Sequence, residues 1–175
     1  MPFVRKRLSR AARVAPFLLA ALGSLPLPTL AGDAHAARTR EHGRYLVTIG
    51  GCNDCHTPGY PEQSGKVPPN EWLTGSVVGF QGPWGTTYPA NLRLIAQSLT
   101  EAQWIARLRT PMRPPMPWFN TAAMSDADLS AMYRFVRGLG PQGVPAPAYA
   151  APGAAVDTPY IVFVPQQQPA QAALR

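Results

Sequence analysis

Twelve of the 33 residues between positions 58 and 90 are glycine or proline. Proline fixes φ and donates no backbone N–H, and glycine in an element interior costs conformational entropy. No long helix or strand can cross that stretch. The excess is general, with 21 prolines and 15 glycines in 175 residues. Yet 46 % of the chain is hydrophobic, so it is not disordered by composition. A loop this long needs something large to organise it.

Helices are expected on either side of that stretch. Thr39 can cap a first helix carrying Tyr45, Leu46 and Ile49 at helical spacing. Thr100 with Gln103 matches a capping box ahead of Trp104, Ile105 and Leu108. Residues 110–121 are expected to be irregular. Ser125 caps the clearest helix, with Asp126 and Asp128 in its first turn, where negative charge suits the helix dipole. Leu129, Met132, Tyr133, Val136 and Leu139 form one apolar face, and Gly140-Pro141 is the stop. The fold class is therefore mainly α, with three to five short helices and long Gly/Pro-rich loops. The expected organisation is a leader at 1–36, a domain at 37–141 and a Pro/Ala-rich, mostly extended tail at 142–175. Tyr160 to Val164 could add a short strand to that tail.

The leader reads as a secretory signal peptide. Arg5, Lys6, Arg7, Arg10 and Arg13 precede an uncharged run from Val14 to Ala31, and Ala34-His35-Ala36 is a small-x-small site. The run is at the short edge for a bilayer span and is broken by Pro16, Pro26 and Pro28. The expected destination is the periplasm, with no stable membrane span after cleavage. Cleavage removes five of the 16 basic residues and one of the nine acidic ones, so +7 falls to +3. Most of the apparent preference for an anionic partner goes with it, and nucleic acid is not an expected partner.

Both cysteines lie in Cys52-Asn53-Asp54-Cys55-His56. This is the attachment sequence of c-type haem. On a helical turn, positions i, i+3 and i+4 share a face. Two thiols can then bond the two vinyl groups of one porphyrin while the adjacent imidazole reaches the iron. Alternatives are a plain disulfide, a thioredoxin-like redox couple, or half a zinc site, for which His42 is the one further histidine after the leader. A single covalent haem c with its iron would also be the large body that the loops wrap.

For the sixth iron ligand the chain offers Met112, Met116, Met124, Met132 and His42. Met132 lies on the apolar face of the last helix, and Met124 directly precedes its cap. His42 lies on the helix feeding the attachment turn. Met116 sits in a proline-stiffened loop before Trp118 and Phe119 and is favoured, with Met112 as runner-up.

The sequence resembles monohaem class I c-type cytochromes, and more narrowly the cytochrome subunits or domains of bacterial periplasmic dehydrogenases. The resemblance rests on Gly43-Arg44-Tyr45-Leu46, the Cys52–Thr57 motif, Trp84-Gly85-Thr86-Thr87-Tyr88-Pro89-Ala90-Asn91, Pro115-Met116-Pro117-Trp118-Phe119 and Met124–Leu129. It covers about 37 to 141. It implies the class I cytochrome c fold, His56 and Met116 as axial ligands, and a first helix crossing the last with Gly43 against Tyr133 or Val136. It also implies propionate or packing contacts from Trp84, Tyr88, Asn91 and Trp104, with Trp72 as a further candidate. Pro68 or Pro69 would hold the second nitrogen of His56. Related subunits often carry several haem motifs, whereas this chain has one. The expected function is electron transfer without enzymatic activity, between redox partner proteins on the dehydrogenase or terminal-oxidase side. The alternative is a haem enzyme or ligand sensor with an open or labile distal site.

Overall fold

The computed structural model describes residues 30–165. Most of the expected leader, and the last ten residues of the tail, lie outside the described residues. Within them the chain is mainly helical, with six α-helices, a short 3₁₀ turn at Pro69–Glu71 and a small three-stranded sheet. That is one helix more than the upper end of the sequence expectation.

Helix α1 (Leu30–Ile49) already includes the nine residues before Thr39. The preceding segment is alanine-rich, and alanine is the strongest helix former. Thr39 is therefore interior to the helix, and its hydroxyl donates to the His35 carbonyl at 3.0 Å instead of capping. Ala34-His35-Ala36 lies within α1 and is exposed. Gly51, at φ +66°, separates α1 from α2 (Cys52–His56).

The stretch 58–90 holds more regular structure than expected. Strands β1 (Gly79–Gly82) and β2 (Gly85–Thr87) form an antiparallel hairpin, with Gly82 opposite Gly85. Helix α3 (Leu92–Ser98) follows, unanticipated, on Asn91, whose Oδ1 accepts from Leu94 N. Helix α4 (Glu101–Leu108) has the expected capping box, with Gln103 N–H donating to Thr100 Oγ1 at 3.3 Å and Thr100 N–H to Gln103 Oε1 at 2.9 Å. The region expected to be irregular contains α5 (Trp118–Ala123). Helix α6 (Asp126–Gly138) starts at its Ser125 cap, and Gly140 beyond it has φ +74°. Strand β3 (Tyr160–Val162) pairs parallel with β1 and gives the order β2-β1-β3.

The most extensive helix–helix contact is between α1 and α6. Gly43 makes it possible, because a Cβ there would stand 2.1 Å from the Ala131 carbonyl oxygen and 2.9 Å from Phe135 Cβ. The crossing partners are thus Ala131 and Phe135, not Tyr133 or Val136. Ala131 and Phe135 are four apart and share one face of α6. The Tyr133 hydroxyl instead reaches the Leu99 carbonyl at 2.8 Å, beside Trp104. Leu129, Met132, Tyr133 and Val136 are buried with Val47, Leu73, Trp72, Trp104 and Leu108 in one core. The end of α6 is closed by Arg93, buried on α3, which donates to the carbonyls of Leu139 and Gly140.

Candidate functional site

Helix α2 has five residues, too short to hold itself. Its order comes from one buried hydroxyl. Thr57 Oγ1 donates to Asn53 Oδ1 at 2.8 Å and accepts from Leu73 N–H at 2.8 Å. The Leu73 carbonyl accepts from Leu92 and Arg93, while the His56 carbonyl accepts from Gly75 at 2.8 Å. Leu73 is fully buried in a left-handed conformation, at φ +64°. Such backbone costs energy and persists only where its surroundings hold it. Thr57→Val keeps the shape and strands Leu73 N–H and Asn53 Oδ1. Each stranded buried group costs about 1–3 kcal/mol. A guanidinium midpoint lowered accordingly, and restored by Thr57→Ser, is the expected result.

His56 is 8 % exposed, and its Nδ1 lies 2.7 Å from the Ala90 carbonyl. A carbonyl only accepts, so Nδ1 carries the proton and Nε2 keeps its lone pair. Nε2 has no hydrogen-bond partner among the described residues. Burial pushes the imidazole below the usual histidine range, against a smaller opposing effect of the Ala90 bond. The ring is therefore neutral at physiological pH, the form that ligates metals. The carbonyls of Pro68 and Pro69 are not its partners, because the one Nδ1 proton goes to Ala90, and they accept from Glu71 and Trp72 in the 3₁₀ turn. The Ala90 carbonyl is set in place by Gly75, at φ +82°, where a Cβ would come within 2.8 Å of Asn91 N.

Cys52 is half-buried and Cys55 exposed, and both are free thiols. Burial above all, then the Asp54 and Cys55 charges, pushes Cys52 up to about 11 against an opposing backbone bond. Burial and then Asp54 raise Cys55. Redox-active cysteine pairs have depressed thiol pKa values, so this environment runs against that chemistry. His42 is taken up elsewhere, with Nε2 2.8 Å from Asp128 Oδ1.

Met112 and Met116 are half-buried in the loop before α5. That loop is fastened by Thr87 Oγ1 donating to the Pro114 carbonyl at 2.7 Å. Met132 is buried in the core, as expected. Met124 approaches Gly50, two residues before Cys52. A Cβ placed on Gly50 would be 3.7 Å from both Met124 Cε and Cys52 Sγ.

The other polar candidates divide in two. The indole nitrogens of Trp84 and Trp104, and Asn53 Nδ2, are buried without a hydrogen-bond partner among the described residues. Trp72 donates to the Val67 carbonyl at 2.7 Å, and the Tyr88 hydroxyl is 2.6 Å from Thr158 Oγ1. The Asn91 amide donates to the carbonyls of Gln142 and Val144 at 2.8 and 3.1 Å, which uses both its protons. Buried orphan donors are rare in folded proteins and call for a partner. Comparisons of the chain with protein-family models, curated proteins and solved structures find no match.

Proposed function

We propose that this chain carries one covalently attached haem c and serves as a one-electron carrier, alone or as the cytochrome subunit of a dehydrogenase. The carrying observation is the state of His56: buried, neutral, with Nδ1 anchored on Ala90 and Nε2 uncommitted, on the same short helix as two free thiols. A histidine ligand is oriented by this kind of bond on its other nitrogen. Cys52 and Cys55 would hold the group, His56 would ligate its iron and Met116 would supply the second axial ligand. When bound, the haem would supply a one-electron Fe(III)/Fe(II) couple. The unpartnered indole donors of Trp84 and Trp104 suit an anionic group such as a propionate. Tyr88 and Asn91 support the surrounding loops through the bonds they already make.

The fold proposed with this function is class I cytochrome c, with the 58–90 and 110–117 loops around the haem. The leader pattern at 1–36 supports export to the periplasm, where redox partner proteins would be met. No helix among the described residues is long and apolar enough to cross a membrane.

The test is expression of the full chain in a bacterial host competent for covalent haem attachment. The expected product keeps one haem per polypeptide after denaturation and acid–organic extraction. Cys52→Ala or Cys55→Ala each lowers that yield by at least an order of magnitude. A polypeptide with the mass of the bare chain overturns the proposal, and a mass lower by two hydrogens indicates a disulfide.

A further inference from the structure

We infer that the segment from Gln142 to Phe163 is a strap that sets the axial coordination of the iron, with Tyr149 as a positioning residue for the loop carrying Met116. The inference rests on the haem reading above.

The segment follows α6 and runs back across the loops. Its first contact is with Asn91, through the carbonyls of Gln142 and Val144. Asn91 directly follows Ala90, the residue that orients His56. Next, Tyr149 donates to the Trp84 carbonyl at 2.8 Å while the Arg113 guanidinium lies 4.0 Å above its ring. Ala150 and Thr86 exchange both backbone bonds, at 2.8 and 3.0 Å. Gly85, at φ +96°, allows that approach, because a Cβ there would stand 2.2 Å from the Ala150 carbonyl oxygen. Finally β3 closes on β1, and Phe163 packs edge-on against Phe80 and Trp84.

The loop at 110–117 has no regular structure of its own. Two long-range fastenings meet within it, Thr87 on Pro114 and Tyr149 on Arg113. Thr87 adjoins Thr86, which the strap itself pairs. The same stretch of chain therefore supports the loops behind both axial ligands. Loosening the Tyr149–Arg113 contact should free Met116 without altering His56.

The test is a double-mutant cycle on the full-length ferric protein, with Tyr149→Ala, Arg113→Ala and both together. Two readouts are taken: affinity for added imidazole, which competes with the methionine, and amide exchange across residues 112–118. Each single change is expected to raise imidazole affinity and loop exchange roughly two- to fivefold, the scale of one ring–cation contact. The double variant should match the larger single effect. Exchange in α1 and α6 should stay at the wild-type rate, and Tyr149→Phe, which keeps the ring, should stay within about twofold. Wild-type imidazole affinity and loop exchange in both single variants overturn the strap while covalent haem still supports the functional reading. Effects that multiply in the double variant also overturn it. If no haem is attached, the functional reading and the ligand role of the strap both fail, and faster loop exchange then supports the fastening alone.

Discussion

Gly43→Ala is expected to lose about 3–5 kcal/mol of stability, near the top of the range for a single substitution. A small domain has only about 5–15 kcal/mol in total, so the variant should be largely unfolded in mild denaturant. The added methyl would stand 2.1 Å from the Ala131 carbonyl oxygen and 2.5 Å from its carbon. These are backbone atoms within α6, so no side-chain rotation relieves the clash. Relief requires α1 and α6 to separate, which opens the core around Val47, Leu129 and Phe135. Gly138→Ala is the matched control. Its Cβ would meet only Arg40 Cδ, at 3.8 Å, an ordinary contact. That change should be neutral or gain up to about 1 kcal/mol from helix propensity. Guanidinium unfolding of both variants reads the difference directly. Equal midpoints for Gly43→Ala and wild type would mean that the two helices do not cross at Gly43.

What could be read in advance follows the range of the interactions involved. The caps at Thr100 and Ser125 and the stop at Gly140 involve residues within three or four positions of one another, and they stand where expected. The Cys52–His56 turn is equally local, since Cys52, Cys55 and His56 span five residues. The support of that turn is not local. His56 is held by a carbonyl 34 residues away, and Thr57 by an amide 16 residues away. No propensity marks Ala90 as an acceptor, because every residue offers the same carbonyl. Gly43 could be singled out as a small residue at a crossing, but its true neighbours depended on the rotation of α6. A short strand was conceivable at Tyr160 to Val164, and β3 occupies Tyr160–Val162 of that stretch. The fastening of the tail to Trp84, Thr86 and Asn91 depends on contacts 51 to 65 residues apart in the chain. The place of Thr39 inside α1 was missed for the opposite reason. Thr39 has good capping chemistry, but the alanine-rich segment before it continues the helix.

Under the proposed His/Met coordination, Met116→Ala should abolish the far-red ferric absorption band that marks a methionine–iron bond. Met112→Ala, Met124→Ala and Met132→Ala should keep it. Met132 is 3 % exposed in the core with Leu129 and Val136, and leaving it would open a cavity. Met124 packs against the core, and its carbonyl accepts from Arg109 at 2.9 Å. Met112 packs against the core, whereas Met116 does not belong to that cluster. Met116 also follows the Pro114 carbonyl that Thr87 holds, so its backbone is positioned. Losing the thioether removes a soft ligand that favours the ferrous state, so the midpoint potential should fall as the band disappears. Covalent haem content should not change, because the thioethers and His56 are untouched. A band retained in Met116→Ala and lost in Met112→Ala or Met124→Ala reassigns the ligand to that residue. A wild-type protein that lacks the band but carries covalent haem has an open or differently filled distal site, which favours ligand binding over electron transfer.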